Sequence, residues 1–117
     1  MSNFNLSLPN LKLELTNSEF LEATCDQINK DLEGLISNDI TKNKKLYESP
    51  IELLTSQLCE IIHLLSELNK IQQFIYKVDL NENIFKDYIT RQINIEEFSF
   101  QIIFREAQKI YLRNYFK

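Results

Sequence analysis

Apolar residues recur every three or four positions along much of this chain, and that spacing limits the possible folds more than any other feature. Leu21, Cys25, Ile28, Leu32 and Leu35 follow one another at intervals of 4, 3, 4 and 3 residues. Side chains spaced in this way lie on one face of an α-helix. The single Gly and two Pro leave little material for tight hairpins or flexible linkers. Because 117 residues suit one domain, the sequence predicts a single, mainly α domain that covers the whole chain.

The first predicted helix contains this apolar stripe. Thr16 and Glu19 have the spacing of a capping box, in which each side chain accepts a hydrogen bond from an unpaired backbone N–H. Helix 1 is therefore predicted over residues 17–36, and Gly34 lies where a helix C-terminus favours glycine. Residues 37–49 show no sustained period and contain three lysines, so they predict a solvated loop.

The second predicted helix is the longest. Ser49 and Glu52 have the spacing of another capping box, and Pro50 occupies the first helical position, where its missing N–H does no harm. The apolar rhythm then continues over residues 50–77, which predicts one long helix 2. Its apolar face is broad, so we expect it to be the central helix, covered on more than one side.

Two further helices are predicted in the C-terminal third. Polar residues after helix 2 indicate a turn, and residues 84–91 fit a short helix. Asn94 and Glu97 precede a new apolar stripe at capping-box spacing, which predicts a C-terminal helix over residues 95–115. The β-branched and aromatic residues of 92–103 also fit a strand, so both structures stay open for that segment.

Residues 1–15 have a different pattern. Leu11, Leu13 and Leu15 alternate with polar residues, as in a strand with one buried face. Such a strand pairs either with residues 92–103 or with another chain; the alternative is an extended arm that lies across the helices. The predicted fold is thus a small three- to four-helix bundle with a long central helix and an extended N-terminal arm that has the option of β pairing.

The usual signatures of catalysis are missing from the sequence. One Gly cannot build a P-loop or a GxGxxG turn, and neither GxSxG nor HExxH occurs. Cys25 and Cys59 lie 34 residues apart without a CxxC motif, so we expect free thiols rather than zinc ligands or a disulfide. We therefore predict a non-enzymatic protein without a cofactor.

A candidate metal site lies on helix 2. Glu60, His63 and Glu67 share one helix face, and Glu60-x-x-His63 has the spacing of the ligand pair in di-iron helical bundles. Those sites need the pair twice, whereas this chain has one histidine. A helical metal-binding protein is therefore one alternative function, against the simpler interpretation that this face is solvated.

Basic residues follow the C-terminal helix at regular intervals. Arg105, Lys109, Arg113 and Lys117 recur every four residues, close to aromatic side chains. This pattern fits a second alternative function, an accessory protein that binds nucleic acid. The same cations also complement the helix dipole and can pair with acids of helix 1. The net charge of −4 argues against a general nucleic-acid binder, because such proteins gain affinity by neutralising phosphates.

The leading functional prediction follows from the broad apolar face of helix 2. Two neighbouring helices do not cover a face of that width, so we expect an exposed apolar patch that binds a protein. The protein is predicted to be a small acidic interaction module that binds another protein or a second copy of itself, in a homodimer or a larger complex. The expected contact residues are Leu11, Leu13, Leu15, Leu53, Leu64 and Phe74.

The sequence also bears on location. Its apolar runs are far shorter than the ~20 residues needed to cross a bilayer. The first residues, MSNFNLSLPN, lack the basic start and apolar core of a signal peptide. We therefore expect a cytoplasmic protein that does not enter a membrane.

Overall fold

The computed structural model describes residues 8–115, and the side chains of residues 11–114 among them. In this range the chain forms α-helices and no strand, which confirms the mainly α prediction. The helices pack into a body of 36 × 35 × 24 Å. They are α1 (Leu8–Glu14), α2 (Ser18–Leu32), α3 (Lys44–Glu48), α4 (Pro50–Glu67), α5 (Ile71–Val78), α6 (Glu82–Ile89) and α7 (Ile95–Tyr115).

The C-terminal helix α7 occupies the centre, where the sequence had placed helix 2. It packs against α1, α2, α4, α5 and α6. Its consecutive residues Ile102, Ile103 and Phe104 are all buried. Successive side chains on an α-helix point about 100° apart, so these three alone span more than half of the circumference. That wrap-around burial lets α7 contact neighbours on several sides.

The single long helix expected over residues 50–77 is two helices, because the chain turns between α4 and α5. Asn69 adopts a left-handed conformation with φ of 58°. The Lys70 N–H bonds to Leu65 O at 2.8 Å and the Asn69 N–H bonds to Ser66 O at 3.2 Å. This pair of bonds is a Schellman motif, which Asn tolerates at its left-handed position. Lys70 Nζ then donates to Leu35 O at 2.8 Å and attaches the turn to the segment after α2.

The N-terminal segment is helical where the alternating leucines predicted an extended arm or strand. Leu11 and Leu15 are buried, whereas Leu13 is 69% exposed. Residues four apart share one face of a helix and a residue midway between them points away, so a helix produces the same alternation. The strand alternative for residues 92–103 is wrong as well, because most of that segment belongs to α7. Residues 1–7 of the expected arm lie outside the described residues.

Asparagine side chains cap several helices: the predicted cap Asn94 is confirmed, whereas the caps predicted at Thr16 and Ser49 are not. Asn17 Oδ1 accepts from the Phe20 N–H at 3.1 Å. Thr16, the expected cap, instead donates its hydroxyl to Leu13 O, and Ser49 makes no side-chain cap bond. Each asparagine cap satisfies an N–H that has no partner within its own helix. The other helices capped in this way are α3 by Asn43, inside the predicted loop, α6 by Asn81 and α7 by Asn94.

No helix in the described residues combines the length and the apolar character that crossing a membrane requires.

Candidate functional site

The six residues expected to contact a partner are mostly inside the fold. Leu11, Leu15 and Phe74 are buried in the core, Leu53 is half-buried against it, and Leu64 is half-buried. Leu13 is the exception, with most of its side chain exposed. The broad apolar face assigned to helix 2 is covered because α4 and α5 both pack on α7. Three of the six residues are thus covered by the fold, whereas Leu53 and Leu64 are partly open to solvent and Leu13 is largely open.

A different apolar surface is open at the corner between α5 and α6. Tyr76 is 86% exposed there. Beside it is a groove with a volume of about 240 Å³. Ile75 and Leu80 are buried at its floor and Phe85 is half-buried. We call this surface the α5–α6 groove, and it is lined by Gln72, Ile75, Tyr76, Asp79, Leu80, Glu82 and Phe85.

The α5–α6 groove is held in shape by α7. Asp79 ends α5 in a left-handed conformation with φ of 63°, which turns the chain into α6. Arg105 of α7 fixes this corner, since its Nε donates to Asp79 O at 2.9 Å and its Nη2 to Asp79 Oδ2 at 2.8 Å. The Tyr88 ring of α6 stacks on Phe98 of α7, with centroids 4.1 Å apart. The groove is thus preformed.

A second cluster consists of charged groups buried between α2 and α7. Lys109 Nζ lies 2.9 Å from Asp31 Oδ2 and 2.6 Å from Glu106 Oε1. Asp31 Oδ1 accepts from Gln27 Nε2 at 3.2 Å, and Gln27 Oε1 accepts from Arg113 Nη2 at 2.8 Å. Each of these interactions joins neighbouring turns of one helix or bridges the two helices. The cluster therefore fixes how α2 lies on α7.

Glu106 is the most perturbed group of that cluster. Its side chain is fully buried, and neither carboxyl oxygen has a hydrogen-bond partner in the described part of the chain. Lys109 Nζ lies at ion-pair distance from Oε1. Burial first, and then the neighbouring Asp31, raise the pKa of Glu106 to about 9 against the opposing effect of Lys109. Glu106 is therefore protonated at neutral pH, which leaves Asp31 and Lys109 as the charged pair.

Three basic residues of α7 each have a partner within the fold, although Arg113 and the Arg105–Asp79 pair lie at the surface. Arg105 pairs with Asp79, Lys109 pairs with Asp31, and Arg113 donates to Gln27. Lys117, the fourth residue of the predicted basic stripe, lies outside the described residues. Cations that are paired internally are less available to neutralise phosphates.

The candidate metal ligands stand on the outer face of α4. Glu60, His63 and Glu67 are all exposed. Among the residues that the structure describes, no group of three or more His, Cys, Asp or Glu side chains is arranged to hold a metal ion. The two cysteines are free thiols, with Cys25 buried and Cys59 half-buried.

Sequence reasoning missed the α5–α6 groove, although one signal for it exists. Phe74, Ile75 and Val78 form the buried face of α5, and Tyr76 lies between them in sequence but on another side of the helix. An aromatic residue away from the apolar face of its own helix marks a candidate contact residue.

No protein family, curated protein or solved structure matches the chain.

Proposed function

We propose that this protein is a non-enzymatic interaction module that associates with a second copy of itself through the α5–α6 groove. The observation that carries the proposal is the exposure of Tyr76 directly beside a preformed groove with an apolar floor. Single exposed apolar residues are common on protein surfaces. An aromatic side chain next to an apolar depression is more typical of a contact site.

The energetics favour burial of this surface. Removing a large apolar side chain from water contributes about 2–3 kcal/mol, and tyrosine loses little conformational freedom when it is fixed at an interface. The hydroxyl group of Tyr76 can still reach water or a polar partner at the rim. Because the groove is preformed, little further ordering opposes association.

The arrangement also suits a symmetric dimer. In a two-fold interface the same patch of both subunits meets, so each patch must contain both a projection and a depression. The α5–α6 groove meets this requirement, with Tyr76 as the projection and the floor at Ile75, Leu80 and Phe85 as the depression. Each tyrosine would then enter the groove of the other subunit.

The state of the basic residues supports a protein partner over a nucleic acid. Arg105, Lys109 and Arg113 already have partners within the fold. Nucleic-acid binding would require these cations to exchange protein contacts for phosphates, which reduces the gain that drives such binding.

The proposal is tested with Tyr76→Glu in the full chain. Size-exclusion chromatography with light scattering is expected to give a dimer mass for the wild type and a monomer mass for the variant, because a carboxylate cannot enter an apolar groove without a large desolvation cost. Gln73→Glu is the matched control, since Gln73 is an exposed residue of the same helix outside the groove. It adds the same charge and is expected to retain the dimer.

Two results would contradict self-association through this surface. One is a wild-type protein that stays monomeric at every concentration tested. The other is a Tyr76→Glu variant that keeps its dimer mass. In either case circular dichroism checks that the variants retain the helical content of the wild type.

A further inference from the structure

A second groove, distinct from the α5–α6 groove, runs between α4 and the start of α7. Its volume is about 530 Å³, and no Lys or Arg of the described residues lines it. Ile51, Thr55 and Cys59 form a half-buried floor, and Glu52, Glu60 and Glu96 stand exposed around the floor. We call it the Cys59 groove. It shares no lining residue with the α5–α6 groove.

The three carboxylates of the Cys59 groove have no cation of the described residues beside them, unlike three aspartates elsewhere in the fold. Asp26, Asp31 and Asp79 each pair with a cation of the fold. Within the described residues, the three glutamates around the groove have neither an ion pair nor a hydrogen bond. Their charge is therefore uncompensated by the protein itself.

The negative charge around the groove affects the Cys59 thiol on its floor. Burial raises the pKa of the Cys59 thiol, and the charges of Glu96 and Glu60 raise it as well, against the lowering effect of a contact with Ser99. Cys59 Sγ lies 3.3 Å from Ser99 Oγ, so the thiol is held on the α7 side of the groove. An apolar floor surrounded by like charges gains from a ligand that is both apolar and cationic.

The surface continues past Glu60 along α4. A neighbouring depression of about 330 Å³ is lined on the other side of Glu60 by residues that include Asp39, Ile61 and Leu64. Within the range that the structure describes, no Lys or Arg lines this depression either. Glu60 thus stands between two depressions on one helix. Together they make a track that suits an elongated segment rather than a small molecule.

We propose that the Cys59 groove docks an amphipathic segment of a different protein, which places an apolar side chain on the floor at Ile51, Thr55 and Cys59 and its lysines or arginines against Glu52, Glu60 and Glu96. This inference goes beyond self-association and uses another surface. The apolar anchor supplies the affinity. The carboxylates select a basic partner and speed its encounter more than they tighten its binding.

The test measures peptide binding by the full-length protein. The probe is a fluorescent helical peptide of Leu and Lys with the leucines on one face, and its anisotropy is followed at low salt. We expect saturable binding that weakens as salt screens the charges. A peptide with Ser in place of Leu keeps the charge but lacks the anchor, and it is expected to bind far more weakly.

Variants locate the site. Replacing Glu52, Glu60 and Glu96 together by Gln is expected to weaken binding about tenfold, as the loss of three exposed ion pairs implies. The control replaces Glu14, Glu33 and Glu67 by Gln, which removes the same charge outside the groove and leaves the affinity close to that of the wild type. Thr55→Arg, which puts a cation on the floor, is expected to abolish binding.

Several outcomes would overturn the proposal. They are the absence of saturable binding to the Leu and Lys peptide, equal binding of the Ser peptide, and equal losses in the two triple variants. A triple variant at the groove that loses its dimer mass while peptide binding persists would assign the groove to a second copy instead. Because Tyr76→Glu leaves the Cys59 groove intact, that variant is expected to bind the peptide normally, so the two proposals fail independently.

Discussion

At the scale of single residues, Glu106 shows how the fold manages a buried acid. The side chain lies at the α2–α7 contact, beside Asp31 and Lys109. Two ionised carboxylates and one ammonium group would leave net charge in a region shielded from water, at a large cost. Retention of a proton by Glu106 leaves one balanced pair, and this explains the direction of its pKa shift.

The proton on Glu106 makes stability depend on pH. In the folded protein it is retained until the pH approaches about 9, whereas in the unfolded chain it is lost near the ordinary value of 4.5. The native state therefore holds more protons between these values, and the free energy of unfolding falls as the pH rises through this range. The slope is at most about 1.4 kcal/mol per pH unit. Urea unfolding at a series of pH values measures it.

Glu106→Gln separates this effect from other titrations. Gln resembles the protonated acid and cannot ionise, so the variant is expected to lose most of the decline in stability between neutral and alkaline pH. Glu67→Gln, at an exposed position of α4, is the control and is expected to keep the slope of the wild type. A Glu106→Gln variant whose slope equals that of the wild type would show that Glu106 is ionised in the folded protein.

At the scale of helices, α1 gives the clearest quantitative test. Leu15 is completely buried and Leu13 is largely exposed. Leu15→Ala is expected to lower the free energy of unfolding by about 2–5 kcal/mol through lost burial and a cavity. Leu13→Ala is expected to change it by no more than about 0.5 kcal/mol. Urea unfolding of both variants checks this, and equal effects would be incompatible with the packing of a helix at this site.

The ends of helices also show what a single sequence can and cannot determine. The start of α7 was predictable because Asn94 and the apolar stripe after it give independent signals. The break between α4 and α5 was not, because Asn69 is compatible with both a helix and a left-handed turn, and tertiary contacts such as that of Lys70 with Leu35 O select the turn. The helix α1 was missed because the spacing of Leu11 and Leu15 fits both the period of a helix and the two-residue period of a strand.

The α5–α6 groove could not be predicted for a related reason. Its shape depends on the turn at Asn69, which changes the direction of α5, and on the left-handed end of that helix at Asp79. If residues 50–77 formed one continuous helix, the side on which Tyr76 lies would follow from the apolar stripe of the preceding turns. The turn at Asn69 changes that direction. The residue types of the surface were visible in the sequence, but their juxtaposition depends on how α5 and α6 pack in the fold.

At the scale of the whole molecule, the position of α7 predicts cooperative unfolding. Helices from both halves of the chain pack on α7, so neither half retains its core when α7 leaves. Far-UV circular dichroism and near-UV signals of the tyrosines are expected to report the same transition in urea. Separate transitions by the two probes would show that part of the bundle is stable without the rest. If the dimer forms, the midpoint also rises with protein concentration.

The placement of the aromatic residues has a practical consequence. The chain contains no tryptophan and five tyrosines, so its intrinsic emission comes from tyrosine. The ring of Tyr88 lies against Phe98, whereas that of Tyr76 is open to water. A soluble quencher such as acrylamide should therefore reach Tyr76 far more readily than Tyr88. Loss of this quenching on concentrating the protein would report engagement of the α5 surface without any label.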